Sequence, residues 1–460
     1  MCCVLQLKAY ATLGLLRLLL FSSGSVFMME ITKRGLVLGA TAAVLSTVAV
    51  TGAGIHLSQS QAFFQDSPKE LIDEVWQIVD RNYVDGTFNQ VDWKAIRQEY
   101  LSRNYANKQE AYKAVREMLE KLNDPYTRFM DPEEFKNMQV ETSGELTGVG
   151  IQLALDEETK KLVVIAPIEG TPAAKAGVLA KDVITKIDGK PTEGMDVNDA
   201  VGLIRGQAGT EVTLTIKRGS AEKVFKLKRE RIEIHPVRFS VKQDIPGQKT
   251  GYIRLNQFSA NAAAEMRAAI QDLEKQGVTG YVLDLRSNPG GLLYASVDIA
   301  RMWLKDGGIV STVDRQGVSD RQKANNRQLT DKPLVVLVDG GSASASEILS
   351  GALQDNKRAV LVGTKTFGKG LVQSVRGLGD GSGLAVTIAK YFTPSGRDIN
   401  HAGIAPDVVI ELSDAQRQEL SRNRDEIGTA KDPQYAKGIE VLQQQIARRN
   451  SGGGNSAASR

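Results

Sequence analysis

The chain has 460 residues, 42% hydrophobic and 24% charged: too many for one core and too balanced for a disordered polypeptide, so two or three globular domains are expected. Its 58 basic and 54 acidic residues leave a formal charge of +4, and Lys8, Arg17, Lys33 and Arg34 lie in the first 62 residues against Glu30 alone. The remaining body is nearly neutral, which excludes the electrostatic footprint of a nucleic-acid binder, and with Cys2 and Cys3 as the only cysteines a processed chain has no disulfide, thiolate metal site or cysteine nucleophile.

Two apolar stretches, 13–27 and 36–50, open the chain. The second follows Lys33-Arg34 and runs into Ser60-Gln61-Ala62, the charged, apolar and small-residue parts of a secretory signal peptide. Residues 1–62 are therefore expected to be a targeting segment, cleaved after Ala62, that exports the protein by the general secretory route. Residues 1–27, just ahead of Met28-Met29, read either as an upstream addition or as an uncleaved membrane anchor, so membrane association through the leader stays open.

Residues 63–140 are expected to form a helical domain, because Leu71, Val75, Ile78 and Val79, then Tyr112, Val115, Met118 and Leu119, recur at helical spacing. Asn123-Asp124-Pro125-Tyr126 and Asp131-Pro132 are turn formers that predict a domain boundary near 123–140.

From 144 to 232 the sequence changes to short β-like runs at 150–153, 162–165 and 212–216, separated by Gly, Pro and Asp turns and interrupted by one helix at 196–204. Gly148-Val149-Gly150-Ile151 enters a strand where consecutive backbone N–H groups can form a nest for a carboxylate. An extended peptide could add to the strand at 151–153, its last side chain lying among Val149, Ile151, Leu153, Val201 and Ile204. A Gly-x-Gly turn by itself is more often a tight loop without a ligand. However, Thr171-Pro172-Ala173-Ala174-Lys175-Ala176-Gly177-Val178, then Asp182-Val183-Ile184 and Ile187-Asp188-Gly189-Lys190, strongly resembles a bacterial PDZ domain over essentially all of 144–232.

Residues 233–412 alternate buried strands with helices, 280–285 then 292–304 and 333–338 then 346–354, predicting an α/β layer with functional residues on the loops after the strands. The tail, 413–460, reads as helical and polar until Ser451-Gly452-Gly453-Gly454, where disorder is expected. The fold class is thus multidomain α+β.

Asp339-Gly340-Gly341-Ser342-Ala343-Ser344-Ala345-Ser346-Glu347-Ile348 joins a hydrophobic strand to a helix, and a serine there sits near unsatisfied N–H groups and the positive helix end. Ser344-x-x-Glu347 also fits a capping box, which is the commoner role. Of three histidines His56 lies in the leader, and His235 and His401 occupy a junction and a Gly-rich loop, so a Ser-His-Asp triad finds no support. Lys369, between glycines and apolar residues, is a better base; to work near neutral pH its pKa must fall from ~10.4 by about three pH units, roughly 4 kcal/mol, which burial can supply.

Ser342 to Ile348, Phe367-Gly368-Lys369-Gly370 with Gln373, and Leu285-Arg286-Ser287-Asn288-Pro289-Gly290-Gly291 resemble the three signatures of the carboxyl-terminal processing, or tail-specific, proteases. The resemblance implies Ser344 as nucleophile, Lys369 as base and Gln373 as its support, with Ala345 and Gly291 or Gly290 supplying an oxyanion hole. The residues alone do not choose Ser344 over Ser342 or Ser346. It further implies an α/β serine protease core completed by the N-terminal segment, capture of exposed protein C-termini by the PDZ module, and no metal or nucleotide cofactor. Cyanobacterial or plastid members look most similar, implying a periplasmic or thylakoid-lumen location and, as one family substrate, a photosystem reaction-centre precursor.

Two other readings compete. Gly363-Thr364-Lys365-Thr366-Phe367-Gly368-Lys369 fits a nucleotide-binding loop, but Gly370 replaces the magnesium-binding Ser or Thr and no helix follows. A non-catalytic PDZ adaptor would have no use for a buried lysine base.

Overall fold

The computed structural model describes the strands within residues 8–31 and residues 67–156, 159–317 and 319–453. The chain divides into two units, Met1–Ser67 and Pro68–Arg460. In the first, β1 (Lys8–Thr12), β2 (Leu15–Ser22) and β3 (Ser25–Ile31) make an antiparallel meander. The stretch 36–50 and the expected cleavage point after Ala62 lie outside the described residues. Among the described residues no helix is long and apolar enough to cross a membrane.

The second unit begins with α1 (Pro68–Asn82), α2 (Trp93–Ser102) and α3 (Lys108–Glu120), where the periodicity predicted helices. Asp92 and Asn107 cap α2 and α3, accepting the Ala95 and Glu110 amides at 3.0 Å. Their apolar faces bury Val75, Val79, Val115 and Met118 against Phe129, Leu384 and Val386. Continuous structure occupies the expected boundary at 123–140: β4 (Arg128–Met130) joins a distant strand at 383–392, and α4 (Pro132–Ser143) starts from an Asp131 capping box. Asp131-Pro132 opens a helix because proline at its first turn gives up an N–H that had no partner there.

After β5 (Glu145–Gly148) come β6 (Ile151–Leu155), β7 (Leu162–Pro167), α5 (Pro172–Lys175), β8 (Val183–Ile187), β9 (Lys190–Pro191), α6 (Val197–Ile204), β10 (Glu211–Arg218) and β11 (Ala221–Lys228). Their sheet runs β11-β10-β8-β7-β6, so β6 is an edge strand with its outer hydrogen-bonding side unpaired within the sheet. β12 (Glu230–Glu233) returns to pair antiparallel with β5 at the base of this module.

The C-terminal half contains β13 (Val237–Ile245), β14 (Gln248–Leu255), α7 (Ala262–Lys275), β15 (Gly280–Asp284), α8 (Leu293–Trp303), β16 (Gly308–Asp314), β17 (Ser319–Lys323), β18 (Leu334–Val338), α9 (Ala345–Asp355), β19 (Val360–Gly363), β20 (Leu371–Gly377), β21 (Gly383–Phe392) and β22 (Val408–Val409). One sheet runs β13-β14-β15-β18-β19-β22, parallel from β14 onward; another runs β17-β16-β21-β20, with β4 paired to β21. All residues of β15 and β18 are buried, as expected for parallel strands covered on both faces. Helices α7, α8 and α9 pack on one face.

After α10 (Asp414–Arg422), α11 (Pro433–Gly453) covers the other face with Tyr435, Ile439, Leu442 and Ile446. The tail is therefore a structural helix as well as a polar one, and it continues past Ser451 to Gly453, where the composition predicted disorder. Leu283 pairs with Val336 in register, so the loops leaving parallel β15 and β18 emerge side by side. This juxtaposition builds the candidate site at the carboxyl edge of the sheet.

Candidate active site

The loop after β18 ends at Ser344, the residue before α9, with φ 55° and ψ −111°. A non-glycine residue in this conformation is strained and is held there by its surroundings. Ser342 and Ser346 are fully buried, and their hydroxyls donate to the Leu285 carbonyl at 2.8 Å and the Asn288 carbonyl at 2.9 Å. Ser344 alone of the three reaches solvent. The Glu347 amide donates to the Ser344 carbonyl at 2.8 Å, so this helix-opening donor does not depend on the hydroxyl. Burial thus separates three serines that composition could not.

Glu347 is fully buried on the first turn of α9, and its role exceeds that of a cap. Its Oε2 accepts the Ser344 N–H at 2.8 Å and the Lys369 N–H at 2.9 Å, while Oε1 accepts Thr366 Oγ1 at 2.6 Å and the Gly368 N–H at 2.7 Å. One oxygen atom therefore holds the backbone of both candidate catalytic residues. The Tyr391 hydroxyl adds a second tie, donating to the Ser344 carbonyl at 3.2 Å and to the Lys369 carbonyl. In sequence Glu347 is visible only as the fourth member of a capping box.

Lys369 is half-buried just before β20. Burial pushes its amine below the ordinary lysine value, with help from Arg128, while Asp124 and Glu347 act in the opposite direction. Its Nζ lies 4.7 Å from the centre of the Tyr126 ring and makes no hydrogen bond or ion pair among the described residues. Gln373 Nε2 donates instead to Thr387 Oγ1, at 3.5 Å, from a strand with a register shift between Val372 and Gln373. Lys369 is followed by strand β20, so the nucleotide-binding loop has no helix to complete it. His235 pairs with Glu265 at 2.8 Å, and both it and His401 are exposed.

The two glycines of Asn288-Pro289-Gly290-Gly291 differ. The Gly290 N–H donates to Asn288 Oδ1 at 2.9 Å, whereas the exposed Gly291 N–H and that of Ala345 have no acceptor among the described residues. A Cβ on Gly290 would stand 2.7 Å from the Ala343 carbonyl oxygen and 2.9 Å from the Ala345 nitrogen, so only glycine lets the two loops approach this closely.

In the β6 module, Gly148 and Val149 are buried, Ile151 and Leu153 are half-buried against the core, and Val201 and Ile204 lie on α6. The Val149 and Gly150 N–H groups have no acceptor among the described residues, consistent with an open nest. The Thr171 side chain fills the space a Cβ on Gly150 would need, at 2.3 Å. Val149 and Ile204 are too buried to be more than the back of a pocket, at 1% and 6% exposure.

Residues 249–410 match peptidase family S41, residues 163–218 a PDZ domain and residues 64–122 the tricorn protease C1 domain. The chain is 46% identical over 395 residues to the carboxyl-terminal-processing protease of Synechocystis sp., covering 85% of this chain and 91% of that protein. It is 41% identical over 360 residues to the chloroplastic C-terminal processing peptidase of Tetradesmus obliquus, covering 75% and 78%. A solved structure of a photosystem II D1 C-terminal processing protease aligns with a TM-score of 0.52 and 42% identity, covering 75% of this chain and 94% of that one. Fold and relatives define a serine peptidase with protein substrates. The chain belongs to the carboxyl-terminal-processing proteases of peptidase family S41.

Proposed function

We propose that Ser344 and Lys369 form the catalytic dyad of an enzyme that binds exposed protein C-termini in its PDZ module and removes C-terminal extensions. The observation that carries this reading is Glu347: its carboxylate ties the backbone of Ser344, the accessible one of the three serines at 342, 344 and 346, to that of a partly desolvated lysine. As the Ser344 Oγ–carbonyl bond forms, its proton passes to neutral Lys369 Nζ. The peptide C–N bond then breaks, Lys369 returns the proton to the leaving amine, and water hydrolyses the acyl-enzyme with Lys369 again as base. The free N–H groups of Gly291 and Ala345 support their assignment to the oxyanion. Gly290 fits a spacing role, because its own N–H is used internally.

In the PDZ module the nest at Gly148, Val149 and Gly150 would take the substrate carboxylate, the edge strand at Ile151 and Leu153 would pair with its main chain, and α6 at Val201 and Ile204 would close the side-chain pocket. The cyanobacterial and chloroplastic relatives support export to the periplasm or thylakoid lumen, directed by residues 1–62, with membrane association if the leader is retained. Similarity to the photosystem II D1 processing protease supports a photosystem precursor with a C-terminal extension as substrate.

The test is hydrolysis of a protein carrying a C-terminal extension, with and without ATP, by the parent and by Ser344→Ala. ATP-independent cleavage lost in the variant, with an acyl adduct mapped to Ser344, is expected. Undiminished cleavage by Ser344→Ala would sink the assignment, and tail binding without any cleavage would favour the adaptor.

A further inference from the structure

We propose that the loop at 123–128, carried by the N-terminal helices, supplies two positioning residues to the catalytic site: Tyr126, whose ring face holds the Lys369 amine, and Asp124, which orients Gln373 through Thr387. This rests on Lys369 being the base and adds what holds that base in place.

The amine has no hydrogen-bonding partner among the described residues, and the feature it meets is the Tyr126 ring, 4.7 Å from the ring centre. A ring face attracts an ammonium through its quadrupole and keeps water from it. The ring is itself fixed: the Tyr126 N–H donates to Asp124 Oδ1 at 2.9 Å, and two residues later Arg128 pairs with Ala385 of β21. Helix α3 and strand β21 thus anchor the loop from both ends.

Asp124 Oδ2 receives the hydroxyls of Thr127 and Thr387, each at 2.7 Å, and the Thr387 N–H donates to Thr127 Oγ1 at 3.0 Å. Thr387 is fully buried, and its one hydroxyl proton is committed to Asp124. Its oxygen is therefore left as an acceptor, which selects the Nε2 side of Gln373, 3.5 Å away. The Gln373 carbonyl oxygen then remains available for the lysine. The charges acting on Lys369 are Arg128 from β4, Asp124 from this loop and Glu347 from α9, so two of the three come from the N-terminal segment.

The test is the pH dependence of kcat/KM on a tail-bearing peptide. Tyr126→Leu keeps an apolar side chain over the amine but removes the ring's attraction for its charged form. The base then loses its proton at lower pH, and the acid limb moves down by about half to one and a half pH units, with kcat falling about tenfold or more. Tyr126→Phe retains the ring, so the acid limb keeps its place. An acid limb unmoved in Tyr126→Leu would overturn the role of the ring, whatever happens to the amplitude, since misfolding lowers amplitude without shifting the limb. For the Asp124 link, Asp124→Asn and Gln373→Ala should each lower kcat with KM little changed, and the double variant should be about as impaired as the poorer single one; multiplicative losses would overturn it. Lys369→Ala separates the two levels: if it remains active the base assignment itself fails, whereas an inactive Lys369→Ala with an unmoved Tyr126→Leu limb refutes only the positioning role.

Discussion

Replacing Glu347 with glutamine asks whether one buried carboxylate sets the relation between hydroxyl and amine. Each of its oxygens accepts two donors, at 2.6 and 2.7 Å on Oε1 and at 2.8 and 2.9 Å on Oε2. An amide of the same shape has a single oxygen: with its NH2 toward Ser344 and Lys369 two N–H donors lose their acceptor, and with its NH2 toward Thr366 and Gly368 the Gly368 N–H loses its acceptor while the Thr366 hydroxyl can turn to accept. Hydrogen bonds to a charged group contribute about 1.5–3 kcal/mol each, so losing one or two costs about 1.5–6 kcal/mol. That is a large part of the roughly 5–15 kcal/mol by which folded proteins are stable, but not all of it. The variant should fold, unfold in denaturant with a stability lower by about 1.5 kcal/mol or more, and lose about 100-fold in kcat as the loops separate. KM for a tail peptide should change by less than about threefold, because Glu347 lies in the peptidase half and not in the β6 groove. Parental stability and kcat in Glu347→Gln would refute the argument that this carboxylate joins the two loops.

Three further outcomes are expected. Arg286, buried between Asp284 and Asp432 with paired hydrogen bonds to each, ties the start of the glycine loop to the segment opening α11; Arg286→Met should cost about 3–5 kcal/mol in denaturant unfolding, and a loss below about 1 kcal/mol would show that the network contributes little. Lys369→Met should lower kcat by about 10²- to 10⁴-fold yet raise the melting temperature at neutral pH. The sign follows from the depressed amine: its charge costs stability at pH below its folded value, and that cost fades as pH rises toward the ordinary lysine value of ~10.4, so the advantage of Lys369→Met should shrink over that window. A melting temperature lowered at neutral pH would contradict this. Amidating the C-terminus of a peptide substrate should raise KM by about tenfold, roughly 1.4 kcal/mol, while kcat holds; an unchanged KM would remove the nest at Gly148 to Gly150 from substrate binding.

Much of the architecture is written in local patterns. Apolar residues at helical spacing mark α1 and α3, and the predicted helix at 196–204 is α6, Val197–Ile204, starting one residue after its Asp196 cap. Strand β18 and helix α9 fall within a residue or so of the predicted 333–338 and 346–354. Such elements are legible because periodicity, capping and β-branched content act over a few neighbouring residues. At 123–140 local patterns reach only part of the way. The turn residues there do end a helix, but whether the next segment is a linker or part of a sheet depends on strand β21, some 250 residues further along the chain.

Residue types and spacing made serine and lysine the candidates for the chemistry, and motif resemblance marked the PDZ domain that precedes them. Tertiary structure decided which serine is exposed, because the hydroxyls of Ser342 and Ser346 are committed to carbonyls on the neighbouring loop. It also decided which glycine keeps a free N–H, that Glu347 accepts the backbone N–H groups of both Ser344 and Lys369, and that the Tyr126 ring lies against the Lys369 amine. Those outcomes depend on the parallel register of β15 with β18 and on β4 docking against β21, and contacts between residues so far apart in the chain leave no periodic trace in the sequence.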